Sequence, residues 1–313
     1  MCTAVIYKNR YFGRNLDYDR SFGEEVVTMS REFSYPLSAG KQMKTKYAMI
    51  GMAHVSKDIP LYYDAMNEKG LAMAGLLFAG NAVYQKSVSG KENIPSWAFL
   101  PWVLGQCESV AEAEKLLQNL NLTDEAFSKE LPPSPLHWMI ADKEKSIVVE
   151  ATAEGLQIYE NPVGVLTNNP PFPFQLQKLH QYLNLTAEEP QNWFSKRLDL
   201  RPFSRGMGAI GLPGDWSSVS RFVRAVFVLS HAVSEGPEDV SQCFHILGAV
   251  EQIRGCVEVE KGRFEITIYT SFCDLQKGIY YWKTYDNPAL KKVGFNAENL
   301  DITGLQRLQI GEK

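Results

Sequence analysis

Paired cysteines, long apolar runs and an excess of positive charge are all missing from this 313-residue chain. The five cysteines, Cys2, Cys107, Cys243, Cys256 and Cys273, are scattered and odd in number and form no CxxC pair. Neither a disulfide framework nor a zinc site is indicated. The longest apolar candidates, Trp97–Gly105 and Phe222–Val233, fall well short of the ~20 residues that span a bilayer. Met1–Arg20 alternates polar and apolar residues, unlike a leader with its basic start and apolar stretch of roughly 7–15 residues. The expectation is a soluble, cytoplasmic protein with no membrane partner. Lys and Arg number 32 against 36 Asp and Glu, a formal charge of −4, so the surface carries no electrostatic footprint for nucleic acid.

What is present is ordinary globular composition, 45% hydrophobic and 22% charged, which excludes a disordered or collagen-like chain. Cys2–Tyr7 and Arg10–Gly13 read as strands around a Lys8-Asn9 turn. Glu25–Ser30, Tyr47–Val55 and Leu71–Phe78 continue the strand signals, and serial strands with short turns point to an antiparallel sheet. Ser96–Gln106 and Val110–Leu117 carry helical spacing, with Ser109 as a cap for the second. His137–Ala141, Ser146–Thr152 and Leu156–Tyr159 return to strands. Pro170–Phe174 breaks regular structure, and Gln175–Leu183 resumes a helical pattern. Ser218–Ser234 and Glu238–Ile253 read as helices, Phe264–Ser271 and Gly278–Thr284 as strands. Ala187–Phe203 is polar yet contains Trp193 and Phe194, which a free linker does not need. Sheet layers covered by helices in one α+β domain spanning 1–313 fit this order.

The chemistry starts at Cys2. If Met1 is excised, as expected before a small residue, the chain starts with a cysteine bearing both a thiol and a free α-amine. An α-amine has a reference pKa near ~8, so it can act as base toward its own thiol, the N-terminal-nucleophile arrangement. The bland alternative is a small residue opening a strand. A two-residue Lys8-Asn9 turn would set Cys2 opposite Asn15, with Arg14 and Asp17 close by. Arg14 would bring positive charge to the sulfur and Asp17 a carboxylate to the amine. Three residues apart, they point to opposite faces of a regular strand, so a bend near Asn15-Leu16 is needed if both act on Cys2. Without Cys2 they read as a surface ion pair.

Met-Cys-Thr at the start, followed by Phe12-Gly-Arg-Asn-Leu-Asp17, resembles the choloylglycine hydrolases, which include bile salt hydrolases and penicillin V acylases. The likeness continues through Met66-Asn-Glu-Lys-Gly-Leu-Ala-Met-Ala-Gly-Leu76, Leu136-His-Trp-Met-Ile140 and Gly164-Val-Leu-Thr-Asn-Asn-Pro170. It extends to Gly211-Leu-Pro-Gly-Asp215, Ser220-Arg-Phe222 and Tyr269-Thr-Ser-Phe-Cys273 through Tyr280.

The resemblance implies a four-layer αββα N-terminal-nucleophile fold, a homotetramer and no cofactor, with a conjugated bile salt as substrate. Cys2 would be the nucleophile, Arg14 and Arg221 would supply positive charge, and Asp17 would bind the amine. Asn168 would donate to the oxyanion together with the backbone N–H of Leu77. Bile salt hydrolases commonly have Asn at that last position and penicillin V acylases Tyr; leucine is a departure, though a backbone donor survives it. Read without the resemblance, Asn168 is a turn residue and Arg221 a solvated helix charge.

Leu16, Tyr63, Phe127, Leu131 and Leu136 match the family's apolar pocket, which suits a bulky acyl group. Arg205, in Ser204-Arg-Gly206, matches the glycine-preferring pattern and would pair with the leaving carboxylate. Ala187–Phe203 is the expected oligomer contact. The competing readings are a penicillin V acylase or other N-acyl amide acylase, and a binding module that kept the fold but lost activity. The dispersed histidines His54, His137, His180, His231 and His245 and the other four cysteines read as structural or inert. The Gly206–Gly214 loop lacks the Gly-Lys-Ser/Thr ending of a phosphate loop.

Overall fold

The chain opens with a hairpin, β1 (Cys2–Tyr7) and β2 (Tyr11–Tyr18), in a computed structural model that describes residues 1–38, 40–296, 300 and 304–310. Lys8 and Asn9 turn the chain with φ of 54° and 47°, and Arg10 N–H donates to Tyr7 O at 3.1 Å. Arg10 itself stands outside the ladder. Its carbonyl accepts from Leu275 N–H at 2.9 Å and its guanidinium grips Asp274 at 2.9 and 2.7 Å. The register is therefore Tyr7 with Tyr11 and Cys2 with Leu16, one residue on from the expected pairing with Asn15. A one-residue shift exchanges faces, so Arg14 and Leu16 share the Cys2 side while Asn15 and Asp17 face the other way.

Two antiparallel sheets face each other. The first runs Val165–Leu166, β1, β2, Ile266–Asp274, Ile279–Thr284, Lys291–Gly294. The second runs Gly155–Glu160, Ser146–Thr152, Leu136–Ala141, Ala72–Leu77, Ile59–Asn67, Met49–Ser56, Glu25–Met29, Leu305–Gln309. Every residue of β1 is buried, because a strand covered by a sheet on one side and helices on the other has no solvent face.

Helices α1 (Phe99–Leu104) and α2 (Val110–Leu117) bury Phe99, Trp102, Val110 and Leu117 in a core under the second sheet. Ser109 caps α2, accepting from Glu112 N–H at 3.3 Å. After α3 (Phe172–Lys178), helices α4 (Ser218–His231) and α5 (Asp239–Gly248) bury Phe222, Ala225, Ile246 and Leu247 against the first sheet. The layers are helix, sheet, sheet, helix: the αββα sandwich.

Several element boundaries differ from the sequence reading, among them those of α3, α4 and α5. Helix α3 begins inside the proline stretch, at Phe172, because a proline in the first helical turn gives up an N–H that has no partner there anyway. Helix α4 ends three residues early at His231. Helix α5 stops at Gly248, since Gln252 exchanges hydrogen bonds with Thr267, main chain to main chain at 3.1 Å and to the hydroxyl at 2.8 Å. Cys256 is exposed, unlike the other four cysteines.

Residues 187–203 form an excursion pinched at its base by Thr186 N–H donating to Gly208 O at 3.1 Å. A side chain at Gly208 would meet Glu188 O at 2.1 Å, so that closure needs glycine. Among the described residues, no helix is long and apolar enough to cross a membrane.

Candidate active site

Cys2 lies buried at the mouth of β1, and its two ends are served from opposite faces of the sheet. On the sulfur side, Arg14 Nη2 lies 2.7 Å from Cys2 Sγ. Arg14 is wholly buried and is fixed by carbonyls of the second sheet, Nη1 donating to Tyr63 O at 2.9 Å and Gly75 O at 2.8 Å. Burial works against its charge, but the facing Cys2, Tyr269 and Asp64 hold its pKa above the ordinary range. Asp64 is buried too and accepts from Tyr269 Oη at 2.5 Å, Tyr280 Oη at 2.7 Å and Ser271 Oγ at 2.9 Å. Burial raises its pKa against the pull of Arg14 and those hydroxyls.

On the main-chain side, Cys2 N–H donates to Asn168 Oδ1 at 2.7 Å, and Arg221 Nη1 donates to Cys2 O at 2.6 Å and Thr3 Oγ1 at 2.6 Å. Arg221 is fully buried in the first turn of α4, not a solvated charge; its hydrogen bonds go to oxygens and not to the sulfur, while its charge still acts on Cys2. Nη2 donates to Asn168 Oδ1 at 2.8 Å, and burial lowers its pKa. Asp17 lies on this same side. Its Oδ1 accepts from Thr267 Oγ1 at 2.7 Å. Its Oδ2 is 3.9 Å from Arg221 Nη1 and has no hydrogen-bond partner among the described residues. Burial raises the Asp17 pKa, opposed by Arg221. Arg14 and Asp17 thus flank Cys2 from opposite faces without any bulge in β2; the irregularity is in the facing strand, between Thr267 and Tyr269.

Met1 extends the ladder. Asp17 N–H donates to Met1 O at 2.8 Å, the Met1 ammonium donates to Asp17 O at 2.6 Å, and it pairs with Glu265. Burial lowers the pKa of this amine. While Met1 is attached, Cys2 nitrogen is an amide with no basic lone pair.

Asn168 is clamped from four sides. Its N–H donates to Ser218 Oγ at 2.9 Å, and its carbonyl accepts from Gln175 Nε2, which lies 2.5 Å away. Its Oδ1 faces Cys2 and Arg221, and its Nδ2 donates to Leu77 O at 2.8 Å. Because Oδ1 has two donors facing it, the amide orientation is set by its partners. Phe78 N–H donates to Pro135 O at 2.8 Å and Leu136 N–H to Tyr84 Oη at 2.8 Å. In an antiparallel pair hydrogen-bonded positions alternate, so the Leu77 main chain points away from Leu136, toward Asn168.

The sequence-predicted site residues therefore fall into three groups. Cys2, Arg14, Asp17, Asn168, Arg221 and Leu77 are brought together by the contacts above. Leu16 and Leu136 are close to them, paired with Cys2 and Leu77, and Tyr63 joins through its carbonyl. Phe127 and Leu131 close a separate loop, Phe127 N–H donating to Leu131 O at 3.1 Å, with Phe127 edge-on to Trp97 at 5.1 Å. Arg205 is exposed in the turn after the excursion. A cleft of about 900 Å³ is lined by Arg20, Glu24, Ile266, Ile268 and Tyr285 among others, and by none of the residues predicted for the pocket. Among the described residues no cluster of three His, Cys, Asp or Glu side chains is placed to hold a metal. Asp64, Gln175, Ser218 and Thr267 carry no sequence signal of their own; each meets the site only through tertiary contact.

The sequence profile of the linear amide C–N hydrolases, choloylglycine hydrolase family, matches residues 2–307. The chain is 52% identical to a bile salt hydrolase/transferase of Lactiplantibacillus plantarum over 97% of its own length and 95% of that protein's. Its structure superposes on a mutant conjugated bile acid hydrolase from Clostridium perfringens with a TM-score of 0.93, at 37% identity over 99% of this chain and 97% of that one. Penicillin V acylase from Agrobacterium tumefaciens shares the fold, with a TM-score of 0.79 at 20% identity over 99% of this chain and 92% of its own.

Proposed function

The chain belongs to the choloylglycine hydrolase family of linear amide C–N hydrolases, and from that premise we propose that it hydrolyses conjugated bile salts through Cys2, freed by loss of Met1. The observation that carries this reading is the two-sided service of Cys2, with the buried Arg14 guanidinium 2.7 Å from its sulfur and the Asn168 oxygen 2.7 Å from its nitrogen.

Once Met1 is gone, the Cys2 nitrogen is an amine. Asn168 Oδ1 accepts one of its hydrogens and leaves the lone pair for the thiol proton. The thiolate, held against Arg14 by a charge-assisted hydrogen bond, attacks the amide carbonyl carbon. The oxyanion takes hydrogen bonds from Leu77 N–H and from the second Nδ2 hydrogen of Asn168, the first being spent on Leu77 O. Asp17 Oδ2, which has no hydrogen-bond partner among the described residues, stabilises the ammonium. That ammonium gives its proton to the leaving nitrogen, the C–N bond breaks, and glycine or taurine departs from a thioester. Water, deprotonated by the same amine, attacks the thioester; the C–S bond breaks, and the proton returns to sulfur as free bile acid leaves.

Leu16, Tyr63, Leu136 and the Phe127–Leu131 loop hold the steroid in this reading. Arg205 binds the carboxylate of the leaving group and favours glycine conjugates. One catalytic domain carries the whole site, and the 187–203 excursion joins four copies through Trp193, Phe194 and Phe203, which are 88%, 85% and 87% exposed.

The test is release of amino acid from glycocholate and taurocholate beside acid release from penicillin V, for wild type and Cys2→Ala. The reading expects bile salt cleavage, faster on glycocholate, that disappears in Cys2→Ala. Cleavage of penicillin V alone would move the chain to the acylase branch.

A further inference from the structure

Leu77 ends a strand of the second sheet, while Asn168 lies in the bend two residues beyond the short Val165–Leu166 strand of the first, so no ladder of hydrogen bonds fixes one relative to the other. Oxyanion donors act only if they are held in place before charge develops. The contact from Asn168 Nδ2 to Leu77 O is one tie between the two segments. A second runs through His137, on the strand Leu136–Ala141 beside Leu76.

The His137 ring is completely buried. Its Nε2 lies 2.8 Å from Thr167 O, the carbonyl immediately before Asn168. A carbonyl only accepts, so Nε2 carries hydrogen and the tautomer is fixed by the partner. Its face stacks on Phe78, the residue immediately after Leu77, with centroids 4.3 Å apart and planes 6° from parallel. Nδ1 lies 3.0 Å from Glu150 Oε1, which also accepts from Phe172 N–H at 3.0 Å at the start of α3.

We propose that His137, oriented by Glu150, is a positioning residue that locks the segment carrying Leu77 to the segment carrying Asn168 and so sets the geometry of the oxyanion site. It touches neither substrate nor sulfur. The inference rests on the proposed roles of Leu77 and Asn168 as donors, and it concerns the tetrahedral intermediate, not substrate binding.

The test compares His137→Phe, which keeps a ring to stack on Phe78 but no N–H for Thr167 O, with His137→Gln, whose Nε2 can reach that carbonyl. Loss of a well-placed oxyanion donor costs about 10²–10³ in kcat, and a misplaced pair should lose part of that. His137→Phe is expected to lower kcat about 10- to 100-fold with KM within about twofold, and His137→Gln to recover most of the loss. A kcat for His137→Phe within twofold of wild type, or a Gln variant no better than Phe, would overturn the proposal. A crystal structure of His137→Phe tests the lock independently of turnover: the Asn168–Leu77 contact should open, and its retention at the wild-type distance counts against the lock. Absence of wild-type glycocholate cleavage, by contrast, speaks against the substrate reading alone; the kinetic comparison then moves to penicillin V and the crystal structure still decides on the lock.

Discussion

Two regions of this molecule invert the usual partition of side chains. Around Cys2, the charged groups Arg14, Asp17, Asp64 and Arg221 are at most 1% exposed. In the 187–203 excursion, Trp193 and Phe194 are 88% and 85% exposed. Buried charges are expensive unless they find partners, and the site supplies them: three carbonyls and a sulfur for Arg14, two main-chain carbonyls, a hydroxyl and an amide oxygen for Arg221, three hydroxyls for Asp64, and one hydroxyl with the Arg221 guanidinium 3.9 Å away for Asp17. Exposed aromatic rings in a cluster mark a surface that meets something. The first inversion is held together by polar contacts and, on the proposed function, does the chemistry. The second, on the present proposal, is completed by further copies of the chain.

The contrast predicts opposite responses to substitution. Asn168→Ala removes one oxyanion donor and the acceptor for the Cys2 nitrogen together, so kcat should fall at least ~10²–10³-fold while the substrate still binds; steady-state kinetics on glycocholate with KM nearly unchanged is the expected result. In the excursion, Trp193→Ser with Phe194→Ser should reduce the assembly below four chains by light scattering, with turnover per chain within about twofold of wild type. A tetramer that survives would show that the exposed rings serve another purpose.

The smallest effect belongs to the seam between the regions, at the N-terminus of α4 that carries Arg221. There Asp215 accepts from Ser217 N–H at 2.9 Å and Ser220 Oγ at 2.6 Å. Those hydrogen bonds hold its pKa down to about 2 from 3.8. A depressed carboxylate adds stability above its unfolded pKa and loses it as pH falls toward the folded value. Wild type should therefore lose melting temperature between about pH 4 and pH 2 more steeply than Asp215→Asn. The difference should be small, because Asp215 is exposed and solvent screens it. Equal slopes would mean that the Asp215 hydrogen bonds do not stabilise the folded chain.

The parts of this account legible in the sequence were those carried by position and local pattern. Cys2 stands out because it is the second residue; Arg14 and Asp17 because a hairpin must bring them back to it; the alternation of strands and helix pairs because periodicity is local. The register was off by one because Arg10 leaves the ladder to meet Asp274 and Leu275, more than 260 residues away in the chain. Asn168 and Arg221 looked like a turn and a surface charge, and only the family resemblance picked them out; their partners come from β1, the Leu77 strand, α3 and α4 at once. His137 read only as one of five dispersed, structural histidines, since its meaning lies in which carbonyl and which ring it touches. The contacts that organise the site are long-range and polar, and such contacts leave no periodic trace.

The central claim is that Cys2 works as both nucleophile and base through a free α-amine, and the most direct measurement is glycocholate turnover by a chain with one alanine inserted between Met1 and Cys2. Intact mass would establish that the extra residue remains and that wild type has lost Met1. The account predicts that the extended chain folds, keeps its sulfur beside Arg14, and turns over at less than about 1% of the wild-type rate, since an amide nitrogen cannot take the thiol proton. Turnover at the wild-type rate with Cys2 nitrogen blocked would contradict it.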